Sequence, residues 1–328
     1  MTSRIPLTRR TILAGAAASL GSGFAFAQGS YPSKPVKVIV AYTPGGANDV
    51  TARVASQLLS ERLKQPFVVE NRPGASGITG TSFVAKADPD GYTLLLGAGG
   101  VMTINPGLFS NLPYDPLRDF VPIGLIARSP LVLVVPPTLP VHSVAELIAY
   151  AKAKPDGITF ASPGAGTPLH LAGELFARQA GIKALHVAYK GSAPALADLM
   201  GGRVDMMFDV LGSSMALVRG GKLRALAVSS LQRSPHLPQV PSVNEQALPG
   251  FDVTSWFGFF APANTPREIV TRLNGELVKV ATTPEARDKL APLGMEPVSS
   301  SSEQLRTMVQ QEQAKWRDVI RQANVKVE

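Results

Sequence analysis

The chain comprises 328 residues, 45% hydrophobic and 6% aromatic, with a net charge of +8 and no cysteine. Disulfides, thiolate metal sites and cysteine nucleophiles are thereby excluded. The basic residues are dispersed, without the basic-aromatic stripe that marks a nucleic-acid partner, and the length suits one large or two medium domains.

The first segment reads as an export signal. Arg4, Arg9 and Arg10 precede a small, apolar run from Ile12 to Phe26, and Ala25-Phe26-Ala27 has the A-x-A form that signal peptidase cuts. The run is too short and too Gly-rich for a permanent membrane helix. Arg9 and Arg10 fit a twin-arginine signal, with a Sec signal as the alternative. Loss of residues 1–27 removes three arginines and lowers the net charge from +8 to +5. A mildly basic exported chain attracts anions.

The body alternates two patterns. Short apolar runs at 36–42, 67–70, 93–97, 131–135, 158–161, 184–188, 204–208, 223–228 and 256–260 predict strands. Amphipathic segments at 50–64, 78–87, 144–154, 168–180, 193–201, 266–281 and 303–324 predict helices. This alternation predicts an α/β fold with largely parallel sheets covered on both faces. The last helix is the clearest element. Ser300 and Glu303 have capping-box spacing, and Leu305, Met308, Val309, Trp316, Val319 and Ile320 form one apolar stripe. The extended, Pro-rich stretch 122–140 reads as a crossing between two lobes, and 249–256 as a return crossing. Residues 28–126 plus 252–328 then form lobe 1, and 127–251 form lobe 2.

Two strand–glycine-loop–helix turns stand out, one per lobe. The first is Thr43-Pro44-Gly45-Gly46-Ala47-Asn48-Asp49 and the second Ser162-Pro163-Gly164-Ala165-Gly166-Thr167. Glycine allows a tight turn and close backbone approach, and each following helix start offers free N–H donors and a positive dipole end. Gly45, Gly46 and Asn48 are predicted to grip an anion from one side. Asp49 is placed at the helix start as a cap, since a carboxylate repels a bound acid. On the other side stand Ser162, Gly164, Gly166 and Thr167, with Thr167 as N-cap before Pro168. His170 lies one turn in, within reach of loop or ligand. Strand ends in open α/β sheets face the ligand crevice, which adds Tyr42, Tyr189 and Asp209, with Lys190 as a possible counter-charge. Residues 97–100 form a third candidate loop, whereas Trp256 and Phe257 read as core. A bulky residue at Gly46 or Gly166 is expected to block binding and spare the fold.

These motifs resemble the extracytoplasmic solute receptors of tripartite tricarboxylate transporters, the Bug receptors. The similarity runs through Pro44-Gly45-Gly46 with Asp49, Glu70-Asn71-Arg72-Pro73-Gly74-Ala75, Pro89-Asp90-Gly91-Tyr92-Thr93 and Tyr114-Asp115-Pro116. It continues through the second glycine loop, His170-Leu171-Ala172-Gly173-Glu174, Tyr189-Lys190-Gly191 and Ser255-Trp256-Phe257-Gly258. Asn48 departs from the Thr or Ser often found at its position. The resemblance implies a type II-like, two-lobed periplasmic binding protein of the Venus-flytrap kind. It implies a small organic anion between the lobes: a di- or tricarboxylate, an acidic amino acid, or an aromatic carboxylate. It further implies membrane permease subunits as partners and no cofactor. The receptor is expected to act as a monomer. A sensor that passes ligand to a signalling membrane protein is the alternative. An enzyme is disfavoured: the four histidines, His142, His170, His186 and His236, form no metal motif, and a Ser162–His170 pair would also need an orienting acid and an oxyanion hole.

Overall fold

In the computed structural model, which describes residues 31–327, a ten-stranded mixed sheet runs in the order β2-β1-β3-β9-β4-β7-β5-β6, with β8 and β10 paired to β4. The export signal lies outside the described residues. From Lys34 onward the chain forms one compact unit.

The sheet begins with β1 (Val36–Val40), whose Val36, Val38, Ile39 and Val40 are fully buried, as a strand covered on both faces requires. It pairs in parallel with β2 (Phe67–Asn71) and β3 (Thr93–Ala98). Helix α1 (Ala47–Leu63) and α2 (Ile78–Ala85) are the connections. After a π-helical turn at Gly100–Ile104 and the short α3 (Asn105–Leu108), the chain enters β4 (Phe120–Val135). The stretch expected to be extended at 122–140 is this single 16-residue strand over its first part. Pro122 lies at a register shift of the ladder and Pro130 is the last residue paired with β9, places where a missing N–H costs little.

The second section holds α4 (Val144–Ala153), β5 (Ile158–Ser162), α5 (Pro168–Ala180), β6 (Ala184–Ala188), α6 (Ser192–Met200) and β7 (Met206–Val210). It continues with α7 (Leu211–Arg219), β8 (Arg224–Val228) and α8 (Val243–Gln246). Here β5 pairs in parallel with β6 and β7. The chain returns through β9 (Thr254–Pro262) and closes with α9 (Arg267–Ala281), α10 (Pro284–Leu290), β10 (Glu296–Pro297) and α11 (Ser302–Gln322).

The first half of β4 pairs with β9 and the second half with β7 and β8, all antiparallel. The fold is therefore α/β as expected, but the middle of the sheet is antiparallel. A chain that leaves one section on β4 and returns directly beside it on β9 must run the opposite way. Two hydrophobic clusters follow. One contains Ile39, Leu95, Phe120, Trp256, Phe260, Leu305 and Val309; the other contains Val132, Phe160, Phe176, Phe208, Phe251, Trp316 and Ile320. Helix α11 thus packs its first half on one core and its second half on the other. Its capping box lies one residue later than expected, between Ser301 and Gln304, while Ser300 Oγ accepts from Leu125 N–H at 3.1 Å.

Candidate ligand-binding cleft

A cleft of about 230 Å³ opens where the two sheet sections meet. Tyr42, Ala47, Asn48 and the Ala98–Gly100 turn form one wall, Pro168 and Val210 face them, and residues 253–257 with Glu312 and Trp316 form the floor. Ala47 and Asn48 at the end of the first glycine loop thus share the lining with the third candidate loop, whereas Gly45 and Gly46 are not part of it.

The first loop is held from behind. Asp49 is buried, its carboxylate accepts from Gly45 N–H at 3.0 Å, and Arg53 clasps both oxygens at 2.9 Å. Arg53 holds the Asp49 carboxyl down at about 2. Arg53 also donates to Asn71 Oδ1 at 3.1 Å, and Asn71 Nδ2 donates to Tyr42 O at 3.1 Å. Asp49 is thus a strut of the loop rather than the expected cap: it accepts from Gly45, which precedes the helix, and leaves the helix amides uncapped. Gly45 takes φ +86°, which a side chain would strain, whereas Gly46 has an extended φ of −79°. No side chain caps α1, so its first amides point out of the helix without an intrahelical acceptor. Asn48 Oδ1 is buried with no hydrogen-bond partner among the described residues. Tyr42 stands beside this helix end; burial drives its hydroxyl well above the ordinary phenol range, so it remains a donor. Gly100 lets that hydroxyl approach, because a Cβ there would lie 2.8 Å from it.

The second loop is differently disposed. Gly164 N–H donates to Ser162 Oγ at 3.2 Å, Gly166 N–H to His170 Nδ1 at 3.0 Å, and His170 N–H to Thr167 Oγ1 at 3.3 Å. Thr167 is the N-cap, as expected, but the loop satisfies most of its own donors, and only Pro168 reaches the cleft lining. Ser162 is fully buried and bonds His186 Nε2 at 2.6 Å rather than His170. His170 lies behind the loop, with Nε2 at 3.3 Å from Glu174 and its ring stacked on His186 at 3.6 Å between centroids. Burial, and then His170, pushes His186 down to about 4.

Two other expected residues turn away from the cleft. Tyr189 donates its hydroxyl to Asp198 at 2.9 Å. Asp209 is fully buried and accepts from Ser192 at 3.1 Å, from Ser214 at 2.6 Å and from Ser213, which ties the starts of α6 and α7 to the end of β7. Lys190 is exposed and outside the cleft lining. Conversely, Trp256, Phe257 and Trp316 are core residues that also line the cleft. Glu312 was not anticipated. Its signal in the sequence is a polar interruption of the α11 stripe between Val309 and Trp316.

Two sheet sections joined by paired strands, with a cleft at their junction, form an arrangement that can hold a small ligand between them. The family pattern of the tripartite tricarboxylate transporter receptors matches residues 51–325, and the chain belongs to this family. Among its relatives, a protein from the tcbD-tcbE intergenic region of Pseudomonas sp. strain P51 is 41% identical over 95% of this chain and 94% of its own. BugT of Bordetella pertussis is 38% identical over 91% and 92%. Among solved structures, R. palustris Rpa4515 with adipate superposes with a TM-score of 0.76 at 39% identity, covering 90% of this chain and 99% of its own. MatC from Rhodopseudomonas palustris with bound malate gives 0.72 at 32% identity, covering 88% and 100%.

Proposed function

We propose that this chain is a periplasmic receptor that binds one small organic carboxylate and delivers it to a tripartite tricarboxylate-type permease. The observation that carries this reading is the uncapped start of α1 beside Tyr42 and Asn48 at the mouth of an apolar cleft. A carboxylate fits amide donors at the positive end of a 17-residue helix, with the Tyr42 hydroxyl and the Asn48 amide as further donors. The apolar walls take the carbon skeleton. The adipate and malate held by its structural neighbours support this class of ligand. In this reading, residues 28–126 plus 252–328 and residues 127–251 act as lobes that close about the β4–β9 crossing. Ser162 is fully buried, out of reach of a substrate, which disfavours a hydrolase.

A melting-temperature screen over mono-, di- and tricarboxylates, acidic amino acids and aromatic carboxylates tests the reading. At about 100 times the dissociation constant, a true ligand adds ~2.7 kcal/mol of stability. A shift with uncharged sugars and none with any acid would refute it.

A further inference from the structure

Within the cleft, charge is unevenly placed. Among the described residues, its lining contains no Lys, Arg or His, and Glu312 is its only acid. Glu312 Oε2 accepts from Trp256 Nε1–H at 2.8 Å and, at 3.2 Å, shares the single hydroxyl proton of Thr103 with Gly99 O at 2.7 Å. Both donors are themselves buried, so the carboxylate is fixed against the cleft floor. Its other oxygen, Oε1, meets only Lys315 Nζ at 3.9 Å, and that ammonium is shared with Asp252 O at 3.1 Å.

We propose, building on the carboxylate-receptor reading, that Glu312 is a specificity-determining residue that selects acids with one carboxylate and a neutral, hydrogen-bond-donating far end. The helix start of α1 receives the carboxylate. Beyond it the ligand meets Trp256, Phe257 and Trp316, and then an acceptor oxygen with capacity to spare. A hydroxyl there donates to Glu312 Oε1. A second carboxylate there meets a like charge that the Lys315 ammonium, outside the lining, 3.9 Å away and already bonded to Asp252 O, offsets only in part, and like charges so placed repel. A backbone dipole at one end and a carboxylate at the other thus give the cleft a direction. The aromatic floor and the single acid together favour hydroxy acids with an apolar or aromatic body.

The test uses matched pairs of equal length on the exported, full-length protein: 6-hydroxyhexanoate against adipate, and 4-hydroxybenzoate against terephthalate, by calorimetric titration. The wild type should bind at least one hydroxy acid tighter than its diacid partner. Glu312→Gln keeps an acceptor for Trp256 and Thr103 and removes the charge; it should move the ratio toward the diacid by about tenfold or more. Should that variant fail to fold, the wild-type ratio alone decides. Equal or tighter binding of the diacids by the wild type, or a ratio unmoved by Glu312→Gln, overturns the assignment and leaves the carboxylate reading standing. Binding by no acid of any kind overturns both.

Discussion

Gly46 and Gly166 show how two residues of one type differ in what they permit. A Cβ on Gly46 would meet only Thr43 O, at 3.9 Å, and its backbone is extended. Gly46→Leu should therefore fold with an unchanged melting temperature and lose at least about tenfold in affinity, because the side chain covers the open amides of α1. Gly166 has φ +73°, and its Cβ would lie 2.8 Å from both Leu108 and Val327. The expectation that both glycines tolerate bulk is thus corrected for Gly166, where strain and overlap destabilise the fold directly. His186 makes a different prediction. Its folded value of about 4 lies below its ordinary 6.5, so between those values the unfolded chain binds the extra proton. Its contribution is complete above pH 6.5 and declines as pH falls toward 4. Asp49, held at about 2 against 3.8, keeps its contribution until pH drops below 3.8. Urea midpoints from pH 7 to 4.5 should fall in the wild type and fall less in His186→Gln; parallel curves would rule out His186 as the titrating group.

Among the elements, α11 has the widest reach. Leu305 and Val309 belong to one core, Trp316 and Ile320 to the other, and Glu312 lies between them at the cleft. Trp316→Ala should cost ~3–5 kcal/mol by cavity formation, and should also weaken ligand binding because the indole lines the cleft. A stability loss with affinity intact would separate the two roles. The helix itself was legible from its stripe, as were most strands from their apolar runs. Helix α7 was not among the predicted helices; its start, Gly212, Ser213 and Ser214, holds poor helix formers, and the hydroxyls of Ser213 and Ser214 are satisfied by Asp209, three-dimensional information that spacing does not carry. Tyr42 and Asn48, expected from a strand end, a glycine turn and a helix start, do line the cleft, whereas Gly45 and Gly46 of the same loop do not. The inward turn of His170, Tyr189 and Asp209 depended on partners distant in sequence or on adjacent elements, namely His186, Asp198 and the α6–α7 serines. Glu312 was hidden because a single acid in an apolar stripe also fits a solvated edge.

For the whole molecule, the proposed lobes are linked by β4, by β9 and by the packing of α11 on both cores. We propose that these lobes close about Ala127–Pro130 and Phe251–Ser255 and that the second core then slides along the end of α11, a shear added to a hinge. Small-angle scattering should show compaction when a tight-binding acid is added, and no change for Gly46→Leu at the same concentration. The export signal predicts Gln28 as the N-terminus of the secreted protein, read by mass spectrometry; an intact Met1 as the main species would contradict it. Arg9→Lys with Arg10→Lys should block export if the twin-arginine route is used, and spare it if the Sec route is. The measurement that bears most directly on function is a crystal structure with the tightest acid from the carboxylate panel. Its carboxylate should lie within hydrogen-bond distance of the first amides of α1 and of Tyr42 or Asn48, with its body against Trp256, Phe257 and Trp316. An acid seated away from α1, for instance in the hinge-side pocket lined by Arg128 and Arg233, would contradict the assignment of the site.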